Sequence, residues 1–321
     1  MRARRLLDRP IISPELDPSI GVNIQGPSAI RVPDWVAGRL GKYYLYFADH
    51  KGSYIRLAYA DEVTGPWRIH VPGSLRLEQS CFLTEAPRVS AEQLAEHRAR
   101  LDRSGTKISH DLLSEITTPH IASPDVHVDE AGRRIVMYFH GLDGVGVQVT
   151  RVATSTNGID FVARPEVLGR SYMRVFQHDG VTYALAMPGQ LYRSRDGMQD
   201  FTPGPLLFNP NMRHAAVLKR EELSVFWTQV GEAPEHILLS HINLAGDWLG
   251  WKEGPAREIL RPEQSWEGAD APLVPSIRST AYGQVNQLRD PAILEDEGHV
   301  YLFYAVAGES GIAVAQLLPD V

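Results

Sequence analysis

The sequence predicts an all-β fold: a five-bladed β-propeller with four-stranded antiparallel blades, formed by residues 1–321 as one domain. Three observations lead there. An aromatic-rich strand pattern returns five times, a short apolar strand precedes each copy, and Gly-containing turns separate the two. Four short strands per repeat is the pattern of a propeller blade, and the regular spacing favours it over a β-sandwich with irregular loops.

The aromatic strand is the clearest element, as Lys42–Phe47, Arg134–Phe139, Val181–Ala186, Leu223–Trp227 and His299–Tyr304. Ahead of these lie Gly26–Val32, Ser123–Val128, Tyr172–Phe176, Arg213–Val217 and Asp290–Leu294, expected as the inner strands. Between the two come turns such as Asp129–Gly132, His178–Gly180 and Asp296–Gly298, where Gly supplies the positive φ of a tight hairpin. A third strand follows in the first four repeats, as Arg56–Ala60, Gln148–Ala153, Gln190–Ser194 and Ile237–His241. Turns with an aromatic close behind then recur, including Asn157-Gly-Ile-Asp-Phe161 and Asp196-Gly-Met-Gln-Asp-Phe201.

One passage breaks the β pattern. Ala91–Leu101 follows the N-cap residue Ser90 with good helix formers and is polar on most sides, so a surface helical insertion is expected at about 90–115, between blades 1 and 2. The last blade ends at Ile312–Gln316, and its closure is expected from the Pro10–Pro14 segment or an equivalent latch.

Composition narrows the function classes. Charged residues at 22% and hydrophobic ones at 43% suit a packed globular chain and exclude disorder. The net charge of −7 comes from interspersed acids with no basic stripe, which disfavours nucleic acid as a partner. No segment approaches the roughly 20 apolar residues of a membrane span. The lone cysteine, Cys81, has no disulfide partner and is expected as a small buried hydrophobe. With no apolar stretch behind the basic Met1–Pro10 segment, the expected location is cytoplasmic. WD-type signatures of interaction scaffolds are missing from the sequence, and it leaves the oligomeric state open.

The strings Gln25-Gly-Pro-Ser28, Ser123-Pro-Asp125 and Arg289-Asp-Pro-Ala292, with the Asn157-Gly and Asp196-Gly turns, resemble the five-bladed glycoside hydrolases of family 43 and their relatives. Those relatives include sucrose-cleaving and mannoside-phosphorolysing propellers. The resemblance covers nearly the whole chain and implies hydrolysis of a small glycoside or oligosaccharide in the central funnel. Such chemistry needs one carboxylate to activate water or attack the sugar and one protonated carboxyl to assist the leaving oxygen. By the resemblance, Asp125 takes the orienting and pKa-tuning role. Where the family offers its base Asp this chain has Gly26-Pro27, and where it offers its acid Glu the chain has Tyr172-Met173-Arg174.

Asp290 aligns with Gly26 and Ser123 in the repeat and is the expected base, nucleophile or substrate ligand. Glu267 is the expected acid, with Asp270 in reserve and Trp266 as a flat face for a sugar ring. Both acids also read as a solvated loop, and an Asp-Pro at a strand start also serves as plain turn chemistry.

Gln25, His50, His120, His140 and His214 fall at or beside strand ends, where they would hold sugar hydroxyls. Arg174 and Arg289 lie on or next to inner strands and need carboxylate partners or an anionic substrate, a uronic acid or phosphate. Glu309 in Gly308-Glu-Ser310 reads as a plain turn. No metal or cofactor is assigned, since the histidine spacing matches no zinc pattern, although a structural calcium or other ion would fit the channel. The competing functions are a non-catalytic carbohydrate-binding propeller and a glycoside phosphorylase or lyase.

Overall fold

Each aromatic strand lies second in an antiparallel sheet and is buried on both faces. The computed structural model, which describes residues 1–320, contains five such sheets. Blade 1 runs Gln25–Arg31, Tyr43–Ala48, Tyr54–Ala60 and Arg68–Arg76. Blade 2 has Ile121–Asp129, Arg134–Gly144 and Val147–Ser155, and two short pieces, Val162–Ala163 and Gly169–Arg170, share its outer position. Blade 3 comprises Arg174–His178, Val181–Ala186, Gln190–Ser194 and Thr202–Leu206. Blade 4 comprises Met212–Lys219, Leu223–Gln229, Ile237–Ile242 and Arg257–Leu260. Blade 5 has Arg289–Asp296, His299–Ala305 and Ile312–Leu318, completed by Arg2–Arg5 from the start of the chain.

A sheet buried on both faces must pack against a neighbour on each side, and the apolar residues obey this. They form five clusters, one at each seam, including a seam between blades 5 and 1 where Leu294 and Val314 meet Leu45 and Phe47. Five seams for five blades close a ring. Hydroxyls buried at these seams are satisfied across them: Tyr46 donates to the Gly158 carbonyl at 2.7 Å and Tyr138 to the Gly197 carbonyl at 2.9 Å. A Cβ at Gly158 would stand 2.9 Å from the Tyr46 hydroxyl, which explains the Gly in that turn.

The inner strands share an irregularity that fixes the functional end of the ring. In blades 1, 2, 4 and 5 the ladder shifts register at Gln25/Ser28, Ala122/Asp125, Arg213/Ala216 and Arg289/Ala292. The residue entering each bulge has positive φ: Gly26 at 63°, Ser123 at 49°, His214 at 50° and Asp290 at 49°. Tyr172, at 62°, holds the same place in blade 3, two residues ahead of Arg174. The bulge turns this residue off the ladder.

Several sequence expectations are refined. Gly180 and Gly298 have the positive φ expected of them, each paired with a left-handed predecessor, Asp179 or Glu297, as a type I′ turn requires. In the blade 2 turn the left-handed residue is Arg133 instead of Gly132. The insertion forms two helices, α1 (Ala91–Ser104), with its Ser90–Gln93 capping box and Gly105 stop, and α2 (Leu112–Thr117), capped by Asp111. Cys81 is exposed, not buried as expected, and its φ of 64° marks a sharp turn beyond the blade 1 outer strand. Among the described residues, no helix is long and apolar enough to cross a membrane.

The latch is also corrected. Arg2–Arg5 supplies the outer strand of blade 5, pairing with Ala315–Leu318, while the Pro10–Pro14 segment contributes only a bridge between Ile12 and Ile312. Arg5 anchors the closing strand by donating from Nε and Nη2 to the two oxygens of Glu267, each at 2.8 Å. Glu267 is fully buried, so removing it takes away the buried partner of Arg5, which keeps Glu263 and the Arg261 carbonyl, and leaves the Tyr304 hydroxyl and two backbone amides without their acceptor. The expected result for Glu267→Ala is a loss of about 3 kcal/mol in urea unfolding; an unchanged midpoint would show that this pair does not hold the latch.

Candidate functional site

The bulged ends of the inner strands surround a cavity of about 300 Å³ whose lining includes Gln25, His50, Ser123, His140, Tyr172, Arg213 and His214. Glu115 from α2 and Arg278 from the connection between blades 4 and 5 complete its wall. The insertion therefore reaches the mouth of the funnel. It is tied there by Ser279 Oγ donating to Glu115 at 2.8 Å and by the His110 imidazole against the Thr280 hydroxyl at 2.9 Å.

Asp290 stands directly behind two of the lining rings. Its Oδ1 accepts from the Tyr172 hydroxyl at 2.6 Å and lies 3.8 Å from His214 Nδ1, while Oδ2 has no partner. Burial, and then the neighbouring Glu309 carboxylate, push the Asp290 carboxyl up to about 6; the Tyr172 hydrogen bond and Arg289 offset only part of this. His140 and His214 are held far below the usual imidazole value, first by burial and then by neighbouring positive side chains. Both rings are therefore neutral at physiological pH and able to donate or accept toward hydroxyls. His140 Nδ1, His214 Nδ1, Asp290 Oδ2 and Arg174 Nη2 are all buried without a hydrogen-bond partner. Four such atoms in one neighbourhood mark a place where a polar ligand would complete the bonding.

Beneath the cavity lies a buried charge network. Glu235 binds Arg213 through both oxygens and lies 3.6 Å from Arg289 Nε. Glu309, read from sequence as a plain turn, is 1% exposed and accepts from Arg289 Nη1 at 2.7 Å and from Asn23 Nδ2 at 2.8 Å. Burial alone would raise the Glu309 carboxyl, but His50, Arg289 and Asn23 together pull it down to about 2. Arg289 thus has the carboxylate partner that its position demanded.

Arg174 does not. Its Nε donates to the Ala215 carbonyl at 2.9 Å, its Nη1 to the Pro124 carbonyl at 3.2 Å, and its guanidinium carbon sits 4.2 Å from the Tyr172 ring centroid. It thus joins blade 2 to blade 4 against the face of the Tyr172 ring.

The remaining predicted residues fall elsewhere. Asp125 lies two residues beyond the left-handed Ser123, at the seam of blades 2 and 3, where its Oδ2 accepts from Val175 N at 2.8 Å and from His127 at 2.7 Å. Burial opposes its charge, yet His127 and Arg174 hold its carboxyl below the usual range. Ser28 in blade 1 makes the same cross-seam contact, accepting from Val126 N at 2.9 Å, so Asp125 fills an inter-blade clamp position. Glu267 is corrected from funnel acid to latch residue, since Arg5, the Tyr304 hydroxyl and the Glu263 and Gln264 amides occupy its oxygens.

Trp266 lines a separate groove with Pro10, Pro14 and Tyr282, and Asp270 is exposed on the turn that follows. His120 is buried behind His140, with rings 6.1 Å apart, and burial lowers it to about 3. Tyr172, Glu115, Arg213 and Arg278 went unselected in the sequence reading. The available signal was repeat register for Tyr172 and Arg213; for Glu115 and Arg278, on connections, there was none.

Against known proteins, no family model matches the chain. "Uncharacterized protein R118" of Acanthamoeba polyphaga mimivirus is 37% identical, with the match covering 92% of this chain and 84% of the viral protein. The chain belongs to the family of that viral protein. Among solved structures, a glycosyl hydrolase from Bacteroides ovatus superposes with a TM-score of 0.64 at 14% identity, covering 99% of this chain and 94% of its own. A GH43 β-xylosidase/α-arabinofuranosidase from a compost microbial metagenome, in complex with xylotriose, gives 0.58 at 14% identity, over 99% and 96%. The GH43_1 enzyme from Xanthomonas citri, also complexed with xylotriose, gives 0.57 at 12% identity, over 97% and 90%. At these identities the likeness establishes the fold alone: this chain has the five-bladed propeller seen in the GH43 glycoside hydrolases.

Because the carboxyl of Asp290 is raised from 3.8 to about 6, the folded chain binds that proton more tightly than the unfolded chain does. Its stabilising effect is complete below the unfolded value and disappears as pH rises through the folded one. The stability of the wild-type chain relative to Asp290→Asn should therefore fall between about pH 4 and about pH 7, measured by urea unfolding at both. A difference that does not change with pH would contradict the placement of Asp290 in a desolvated site.

Proposed function

We propose that the chain is a glycoside hydrolase acting on a small glycoside in the axial pocket, with the Tyr172–Asp290 pair at its reacting centre. The 2.6 Å hydrogen bond between a pocket-lining phenol and a buried carboxyl with an unoccupied oxygen carries this reading. The fold shared with family 43 supports it. A phenol is a weak nucleophile until an adjacent base takes its proton. Asp290, once ionised, is that base: the phenolic proton passes to it as the Tyr172 oxygen bonds to the anomeric carbon and the glycosidic bond breaks. The leaving oxygen takes its proton from the Lys51–Glu115 pair, 3.6 Å apart, whose carboxyl is on the pocket wall. That pair then takes a proton from the water that attacks the anomeric carbon, and Asp290 returns its proton to the departing Tyr172 oxygen. Neutral His140 and His214, with Gln25, hold the hydroxyls.

A second reading has an observation of its own. The family's first-blade base position is Gly26, where an added Cβ would stand 2.9 Å from the Ser123 Cα, so no carboxylate fits there. A propeller that binds sugar without cleaving it would also account for that substitution.

Turnover of aryl glycosides separates the two. With Asp290 as base, kcat/KM rises with pH through about 6, because the carboxyl must be ionised to accept the proton. Asp290→Asn and Tyr172→Phe each lower kcat by about 100-fold or more. Asp125→Asn, at the seam, changes kcat only a few-fold. Wild-type turnover retained in Asp290→Asn removes the assignment. Sugar binding by calorimetry without turnover on any glycoside selects the second reading.

A further inference from the structure

Two arginines line the axial pocket, and they differ in one respect. Arg213 is bound by both oxygens of Glu235. Arg278, only partly exposed, donates Nη2 to the Pro210 carbonyl at 3.1 Å and, among the described residues, is paired with no carboxylate. The nearby acids are engaged elsewhere. Glu115 accepts from Ser279 and lies 3.6 Å from Lys51 Nζ, Glu235 serves Arg213, and Glu309 serves Arg289. Asp290 is bonded to a phenol instead of an arginine. Arg174, whose charge the Asp125 carboxyl feels, makes no direct ion pair among the described residues, and its Nη2 is buried without a hydrogen-bond partner.

Arg278 thus lines the pocket as a guanidinium with no ion-pair partner among the described residues. A guanidinium removed from water without a counter-ion is costly, and its planar fork matches the oxygens of a carboxylate or phosphate. We propose that the glycoside taken by this pocket carries an anionic group, a carboxylate or a phosphate, and that Arg278 binds it. This rests on the glycosidase reading and narrows its substrate class. Neutral pentosides and hexosides are then the poorer ligands, because they would leave Arg278 uncompensated when pocket water is displaced.

Calorimetry with the full chain tests this, using uronic acids, hexose 6-phosphates, their neutral parent sugars and inorganic phosphate. At least one charged sugar should bind about tenfold tighter than its neutral parent, the worth of one charge-assisted hydrogen bond. In Arg278→Ala that ratio should fall toward one, and Arg278→Lys should restore part of it. A preference for uronic acids identifies the carboxylate source, and a preference for hexose phosphates the phosphate source. Neutral sugars binding as tightly as charged ones would overturn the proposal and leave the glycosidase reading standing. Inorganic phosphate binding that depends on Arg278, with no sugar bound, would support the anion site and sink the glycosidase reading. No binding of either kind would overturn both.

Discussion

The site depends on one backbone constraint, the left-handed residue at the start of every inner strand. A positive φ is unfavourable for side chains such as Tyr172, by about 1 kcal/mol or more, so the ladders on either side of the bulge must hold it in place. The left-handed station recurs in all five blades, with a ladder bulge in blades 1, 2, 4 and 5, and turns five equivalent residues toward the axis. Ring closure then makes them neighbours: Gly26 abuts Ser123, the Tyr172 ring lies tilted beside that of His214 with centroids 5.2 Å apart, and Tyr172 reaches Asp290. Residues separated by 118 positions in sequence share a hydrogen bond because they occupy the same station in different blades.

The residue just before the bulge is arginine in blades 4 and 5, and these two set the electrostatics below the pocket. Arg213 and Arg289 share Glu235, and Arg289 continues to Glu309. A buried network of this kind adds little net stability over an apolar core, yet losing one member leaves a stranded charge. Its effect here is polarising. Glu309 is held ionised by Arg289, His50 and Asn23, and its negative charge in turn raises Asp290 beyond what burial does alone. Two carboxyls close together are driven apart in proton affinity, and such divergence is how acid and base roles are separated.

The sequence made the architecture legible because blades repeat. The aromatic strands and hairpin glycines at 180 and 298 follow local rules of period and φ, which hold without knowledge of the tertiary neighbours. Register across the bulge was less legible. Asp125 and Asp290 both occur beside proline, but Asp290 occupies the left-handed position and Asp125 falls two residues later, at the seam. That offset decides which of the two stands behind the rings that line the pocket. Glu267 looked like a loop acid because its partner, Arg5, lies 262 residues away on a strand that sequence did not assign to the latch. Tyr172 was in view as a missing carboxylate and not as a functional group, although its repeat position is that of Asp290. Glu115 and Arg278 reach the pocket from connections, where no repeat rule applies.

The most direct measurement is a crystal structure of the chain soaked with the tightest-binding monosaccharide. The expected result is a sugar in the axial cavity, with an oxygen or its anomeric carbon at about 3 Å from the Tyr172 hydroxyl and Asp290 immediately behind. A sugar bound in the Trp266 groove while the axial cavity holds only water would contradict the convergence of the five strand ends on a carbohydrate site.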